Sequence, residues 1–305
     1  MMHDQAEALR LLMRQEEKET SDSKPVSRSS EAKRTRILTV TSGKGGVGKS
    51  NFSLNFALQL QALGCRVLVF DADIGMANID VLMGVSPPYS LYHLLKREKR
   101  IEEIICRSPL GIEFIAGGSG FNDLFTLSQE EVNYFTEQVL SLSGTVDYIL
   151  FDTGAGLSKE SFAFITAADE AIVVTTPEPT SITDAYAVMK MVHSKEPRVQ
   201  FQLIVNRAAD RIEGQQTGEK IRLVANRFLQ LDIPVLGYIP DDPNVAKAVK
   251  KQVPFSVLYP DTPASKELKN LAKRYHQSSV PQESAEATAG VRKFLHRMLT
   301  FMKQS

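Results

Sequence analysis

Residues 36–50 read RILTVTSGKGGVGKS, and they decide the fold. Positions 37–42 form an apolar, β-branched run of the kind that fills a strand buried on both faces. The run gives way to Gly43, Lys44, Gly45, Gly46, Val47, Gly48, Lys49 and Ser50, which fit G-x-x-x-x-G-K-[ST]. Residues 50–63 then read as a helix stopped by Gly64. Strand, glycine loop and helix in that order make a phosphate cradle. The glycines let backbone N–H groups turn inward around an anion, and the helix N-terminus adds a favourable field. Lys49 is expected to reach the β- and γ-phosphates of a nucleotide. Ser50 is expected to offer its hydroxyl to Mg²⁺, with Asn51 beside it in the nucleotide-binding set.

Outward from this loop, apolar runs alternate with helical stretches. Strands are expected in CRVLVFDAD (65–73), IEFIAG (112–117), VDYILFD (146–152), EAIVVTT (170–176), QFQLIVN (200–206) and VLGYIP (235–240). Helices are expected over 128–143, 158–168, 180–194, 214–230 and 263–276. Near-continuous apolar strands separated by helices imply an α/β fold, doubly wound, with a mainly parallel sheet covered on both faces.

A chain of 305 residues with 43% hydrophobic and 24% charged residues has ample apolar surface for a core. The formal net charge is zero, so bulk electrostatics give no reason to expect nucleic acid as a specific partner. Cys65 and Cys106 lie far apart in no metal-binding spacing and read as small buried or half-buried thiols. There is no apolar run of 18 residues and no apolar stretch near the N-terminus, so a cytoplasmic location is expected.

Two acidic segments accompany the loop. The second strand ends in Phe70-Asp71-Ala72-Asp73 and continues as IGMANID, which brings Asn78 and Asp80 close behind. An acid at a strand end can orient a water molecule for phosphoryl transfer, or it can be a plain helix cap. The other segment, Ile149-Leu150-Phe151-Asp152-Thr153-Gly154-Ala155-Gly156, is an apolar strand ending in an acid, the Walker B pattern. Asp152 is the expected Mg²⁺ partner, directly or through water.

The loop KGGVGKS, with its early second lysine, resembles the deviant Walker A loop of the MinD/ParA family of SIMIBI-type P-loop ATPases. The resemblance implies that Lys44 reaches across a nucleotide-sandwich homodimer formed with ATP and lost with ADP. It implies that Asp73 handles the attacking water and shares in Mg²⁺ binding, and that Asn78 and Asp80 follow the γ-phosphate as switch I. Thr153, Gly154 and Gly156 match switch II. Many family members carry prolines after the Asp-Thr pair where this chain has glycine and alanine. The family reads the base with an Asn at a strand end, matched here by Asn206-Arg207, and with a segment matched by Pro240-Asp241. An acid following Asn-Lys, the pattern for guanine, is absent, so ATP is expected over GTP.

Both tails extend the resemblance. Residues 1–19 read as a helix, 20–35 as a flexible polar linker, 36–276 as the ATPase domain and 277–290 as a second linker. Residues 291–305 read as a membrane-targeting amphipathic helix. Val291, Phe294, Leu295, Met298, Leu299, Phe301 and Met302 form its apolar set, beside Arg292, Lys293, Arg297 and Lys303. Such a helix suits an anionic lipid surface, and the alternative is that it packs on its own core. The N-terminal DQAEALR places Asp4, Gln5, Ala6, Leu9 and Arg10 as in the FlhG (YlxH/FleN) branch of the family. That branch regulates flagellar number and placement. In it this helix activates an FlhF-type GTPase of the signal-recognition-particle class, and flagellar C-ring proteins and the inner face of the cell membrane are further partners. Gln5 and Arg10 suit work at a phosphate site in trans, by positioning water or neutralising charge. The competing readings are a ParA-type DNA-segregation ATPase, a Min-type division-site regulator, an iron–sulfur reductase of the nitrogenase iron-protein type, and a scaffold that binds nucleotide without turnover.

Overall fold

The computed structural model describes residues 34–73, 78–117, 128–278 and 289–304. Asp4, Gln5, Ala6, Leu9 and Arg10 lie outside the described residues. The expected doubly wound sheet is present. It has eight strands, β1 (Arg36–Ser42), β2 (Val67–Ala72), β3 (Cys106–Arg107), β4 (Glu113–Ile115), β5 (Tyr148–Ala155), β6 (Glu170–Thr175), β7 (Gln200–Ala208) and β8 (Val235–Pro240). They lie in the order β3-β4-β2-β5-β1-β6-β7-β8. Every pairing is parallel except that of the short edge strand β3 with β4. The chain leaves β1, at the heart of the sheet, passes through α1 (Lys49–Ala62) and returns as β2 beyond β5. The carboxyl end of β1 is thus a topological switch point, where open α/β sheets place their ligands.

Alternation along the strands builds the two faces. On β5, Tyr148 and Leu150 join one core with Phe52, Phe56 and Leu60 of α1 and with Leu268 and Leu271 of α11 (Pro263–Ser278). Ile149 and Phe151 join the opposite core. That core holds Phe135 of α5 (Gln129–Leu140), Phe164 of α6 (Lys159–Ala167) and Phe294 of α12 (Ala289–Gln304). Beside it, β6 and β7 pack on α7 (Pro179–Lys195) and α8 (Arg211–Leu229). Five shorter pieces complete the described elements: α2 (Ile79–Met83), α3 (Leu91–Leu95), α4 (Ile101–Ile104), α9 (Pro243–Lys250) and α10 (Phe255–Leu258). Four of them span five residues or fewer, too short for a hydrophobic period to announce them, although Ile79, Leu82 and Met83 of α2 and Leu91, Leu94 and Leu95 of α3 are buried at helical spacing. Among the described residues no helix is long and apolar enough to cross a membrane.

Three expectations about the ends need correction or extension. Arg34 and Thr35 are not linker. Thr35 is fully buried and donates its hydroxyl to the Val146 carbonyl at 2.7 Å, and Arg34 pairs with Asp169 at 2.6 Å. At the other linker, Gln277 and Ser278 still belong to α11, and α12 starts at Ala289, two residues early. Finally, the apolar face of α12 is covered by protein. Val291, Phe294, Leu295 and Met298 are each no more than 2% exposed, and Leu299 and Phe301 are half-buried. The Met302 side chain lies outside the described residues. The Phe294 ring stacks on Phe151 at 4.9 Å, and Phe301 lies 5.0 Å from Phe162.

Candidate functional site

The glycine loop lies between β1 and α1, and Gly48 sits at the helix N-cap with φ of 90°. Only glycine adopts that backbone without strain, and a Cβ there would stand 2.4 Å from the Asn206 amide nitrogen. Val47 is buried and anchors the loop, while its carbonyl accepts the Asn206 amide at 2.7 Å. The end of β7 therefore closes directly on the loop.

Above the loop is a cavity of about 590 Å³. Its lining includes Lys44, Gly45, Gly46, Gly48, Lys49, Ser50 and Asn51 from the loop, Asp73 and Asn78 flanking β2 and α2, and Gly154 from β5. Lys49 is only 7% exposed on its side chain and turns back toward the sheet. Its Nζ lies 3.0 Å from Asp152 Oδ1, 3.4 Å from Ser50 Oγ and 3.9 Å from Asp73 Oδ2. The Ser53 hydroxyl, one turn along α1 from Lys49, also donates to Asp152 Oδ1, at 2.7 Å. Asp152 is fully buried, and its other oxygen, Oδ2, has no hydrogen-bond partner among the described residues. An orphaned buried carboxylate oxygen costs free energy unless a donor or cation reaches it. Together with the Ser50 hydroxyl and Asp73, it fits a hydrated Mg²⁺, a hard cation that takes oxygen ligands and keeps several waters.

The acids crowd one another. Burial raises Asp73 above the usual carboxylate range, with Asp152 adding and Lys49 opposing. Burial first, then the charge of Asp152, pushes Asp71 up to about 7, against hydrogen bonds from backbone N–H groups. Asp71 accepts from the N–H groups of Asn78 at 2.8 Å and Ile79 at 3.0 Å, which caps the start of α2. Of the two acids ending the second strand, one is the helix cap and the other faces the cavity.

Gly154 decides how close Asp73 can stand to β5. A Cβ on Gly154 would lie 3.2 Å from Asp73 Oδ1. Thr153 is buried and donates its hydroxyl to the Val40 carbonyl, and the Gly156 N–H donates to the Ser42 carbonyl at 2.8 Å. At the rim, Lys44 Nζ lies 2.8 Å from Glu178 Oε2 and 3.0 Å from the Thr180 hydroxyl. That pairing holds the Glu178 carboxyl below its usual range.

The fold brings the two expected base-contacting segments together. Arg207 Nε lies 3.5 Å from Asp241 Oδ1, and the Asp241 N–H donates to the Ala208 carbonyl. Pro240 ends β8 next to them. Asn206 touches the loop itself, and none of these four lines the phosphate cavity. Asp80 is also outside the lining, where it accepts from the Val81 N–H. Cys65 precedes β2, at the end of that strand opposite Asp73, and lies 3.5 Å from His276 Nδ1. Cys106 is on the edge strand.

The structure adds residues that sequence reasoning missed. Leu82, Ala155, Ser158, Glu160, Ser161 and Val249 line the cavity, Ser53 supports Asp152, and Glu178 and Thr180 hold Lys44. Two had a legible signal. Ser53 stands four residues after Lys49, on the same helix face. Ser158 is the N-cap of α6 and accepts from the Ser161 N–H, the hydrogen bond typical of that position.

Comparison with known proteins agrees with this geometry. A ParA family profile, described as NUBPL iron-transfer P-loop NTPase, matches residues 33–276. The chain is 35% identical over 246 residues to the antiactivator FleN of Pseudomonas aeruginosa, covering 81% of this chain and 88% of that one. It is 37% identical over 270 residues to the flagellum site-determining protein YlxH of Helicobacter pylori, covering 88% and 91%. Among solved structures it is similar to the MinC:MinD cell division protein complex of Aquifex aeolicus. That match has a TM-score of 0.65 and 28% identity, covering 82% of this chain and 98% of that one.

Proposed function

We propose, from the premise that this chain belongs to the MinD/ParA family of P-loop ATPases and within it to the FleN/YlxH (FlhG) branch, that it is a slow ATP-driven switch governing flagellar number and placement. The observation that carries the reading is Lys49 held among Ser50, Asp73 and Asp152 beneath a glycine loop, with Lys44 at the rim. The N–H groups of residues 43–50 and Lys49 bind the phosphates, and Asn206, Arg207, Pro240 and Asp241 flank the adenine. Ser50, Asp152 and Asp73 would hold Mg²⁺, which would supply positive charge to the transferring phosphate. Asp73, at the edge of the cavity and 3.9 Å from Lys49 Nζ, orients the attacking water.

Lys44 exchanges Glu178 and Thr180 for the nucleotide of a partner protomer when ATP assembles the dimer. An exposed ion pair of this kind is weak, so the lysine is readily released. The same event reaches α12 through α6. The first turn of α6, with Glu160 and Ser161, lines the cavity, and Phe162 and Phe164 farther along pack against Phe301 and Phe294 of α12. Movement of the Thr153–Gly156 segment with the γ-phosphate state shifts α6 and loosens α12. The freed apolar face then meets the inner face of the cell membrane, and dimerisation adds avidity to a helix that binds weakly alone. Asp4, Gln5, Ala6, Leu9 and Arg10 stimulate an FlhF-type GTPase, and flagellar C-ring proteins read the state of the switch.

The test is co-sedimentation with anionic liposomes, with ATP and with ADP, for the intact chain and for one ending at Gly290, alongside sedimentation velocity. The expected result is ATP-dependent dimerisation and vesicle binding, with binding lost on truncation. Binding that ignores nucleotide or survives truncation would separate the tail from the switch.

A further inference from the structure

Helices α6 and α7 each serve two cavities. The first is the nucleotide cavity. Glu160 and Ser161 of α6 line it, and Glu178 and Thr180, at the start of α7, hold Lys44 at its rim. Gly43 lies so close to the Asp184 backbone of α7 that a Cβ would not fit. The second is a cavity of about 380 Å³, where α12 meets the later part of α6 and the corner between α7 and β7. Lys195 and Arg198 face it from the body, and Lys293, His296 and Arg297 face it from α12. One carboxylate, Glu196, is among the lining residues. Arg198 engages it at 2.7 and 2.8 Å, and those hydrogen bonds, with Arg297 adding, hold it below its usual range. Four lysine and arginine groups against one carboxylate leave a surplus of three positive charges.

Solvated cations are common on protein surfaces, and those of α12 have a use on lipid once the helix is released. That use accounts for Lys293 and Arg297. It leaves Lys195 and Arg198, which stay on the body, without a role. The C-terminal end of α7 offers only about half a negative charge from its dipole, too little to match three cations. Lys195, Lys293 and Arg297 make no ion pair among the described residues. Like charges on facing walls of a concavity oppose docking, and an anion between them turns that repulsion into attraction. A phosphate ester carries about −1.5 to −2 near pH 7, so two phosphate groups match the surplus. Guanidinium and ammonium groups suit phosphate oxygens. The floor is apolar, made by Phe162 and the half-buried Phe301, and gives an organic body something to rest on. The two walls meet only while α12 is docked. In the membrane reading that is the state kept off lipid, so the anion is a soluble one.

We infer that this cavity is an effector site for a soluble diphosphate compound, which latches α12 onto the body and opposes its ATP-driven release. The ligand bridges both walls in one arrangement of α12 and loses one wall in the other. The coupling is therefore reciprocal: the anion favours the docked, ADP-bound state, and ADP favours the anion. Helices α6 and α7, which reach both cavities, carry that coupling. Binding and latching rest on the docked helix alone. Their effect on membrane attachment rests on the membrane reading above and follows its ATP dependence. Lys195 and Arg198 lie outside α12 and outside the nucleotide cavity, so they separate the two ideas.

The experiment is hydrogen exchange of residues 289–304 in the full chain saturated with Mg-ADP, with and without inorganic pyrophosphate, at one ionic strength and one free Mg²⁺ level. Wild type is compared with K195A/R198A, whose ADP affinity serves as the folding control. The expected result is exchange slowed at least about fivefold in wild type and unchanged in the variant. No slowing in wild type would overturn the effector site. Equal slowing in both proteins would also overturn it, because pyrophosphate would then act elsewhere, as at the glycine loop. A second arm is co-sedimentation with vesicles of phosphatidylcholine and phosphatidylglycerol. Pyrophosphate should reduce ATP-state binding of wild type at least about fivefold and leave that of the variant unchanged. Slowed exchange with undiminished ATP-state binding would overturn the opposition to release. ADP-state binding of wild type that is lost in the variant would make the ligand a lipid and overturn the soluble assignment. If neither protein binds vesicles in either state, the membrane reading falls, and slowed exchange in wild type alone would still support the effector site.

Discussion

Phe151 and Asp152 are neighbours on β5, yet they serve two regions built on different physics. Asp152 faces α1 and holds Lys49 and Ser53 under the nucleotide cavity. Phe151 points to the other side of the sheet and stacks on both Phe164 and Phe294, under α12. The first region is defined by charge, backbone N–H groups and one or two conformationally special glycines. The second is defined by area: four apolar side chains of α12 are almost wholly removed from water. A site of the first kind tolerates little displacement, because its energy depends on distances of about 3 Å. A docked helix of the second kind is held by non-directional burial, so it tolerates small displacements as a unit.

The sharpest way to break this comparison is to truncate the aromatic stack. Phe294→Ala should cost about 3–5 kcal/mol in urea denaturation, because the ring leaves a cavity between Phe151 and Phe164. Its ADP affinity should stay within about twofold of wild type if the two regions act independently in the resting state. A loss of ADP binding well beyond that would mean that α12 supports the nucleotide cavity itself. Next in size, Lys49→Ala should slow phosphate release about 100- to 1,000-fold, the usual effect of removing one group that stabilises transition-state charge. Limited proteolysis should find α12 as protected as before, since no contact of Lys49 reaches it. Smaller again is Gly154→Ala, which sets a methyl group 3.2 Å from Asp73 Oδ1. It should lower kcat about tenfold with KM nearly unchanged, as expected when a water-positioning acid is displaced slightly. If KM rises while kcat holds, Asp73 belongs to substrate binding rather than to the chemical step.

The nucleotide site was largely legible before any coordinates. Glycine spacing, a terminal Lys-Ser pair and apolar strands ending in acids depend on local chain geometry, and Lys44, Gly45, Gly46, Gly48, Lys49, Ser50, Asp73 and Gly154 came to one cavity. The rest depended on contacts between distant segments. Glu178 lies 134 residues from the lysine it holds, and Ser158, Glu160 and Ser161 reach the cavity only because β5 runs beside β1. Asp71 and Asp73 are two residues apart, and pattern alone did not tell the cap from the acid that faces the cavity. The backbone N–H groups of Asn78 and Ile79 made that choice.

By itself, the sequence determined the order of elements, the parallel sheet and the identity of the phosphate loop, because hydrophobic period and glycine spacing are written residue by residue. It also determined that residues near the C-terminus form an amphipathic helix. Which partner covers that helix was decided only in the tertiary structure. An apolar stripe measures how much area must leave water and carries no record of where. The groove that receives it is assembled from Phe151, Phe162 and Phe164, which meet Phe294 and Phe301 only after β5 and α6 have packed.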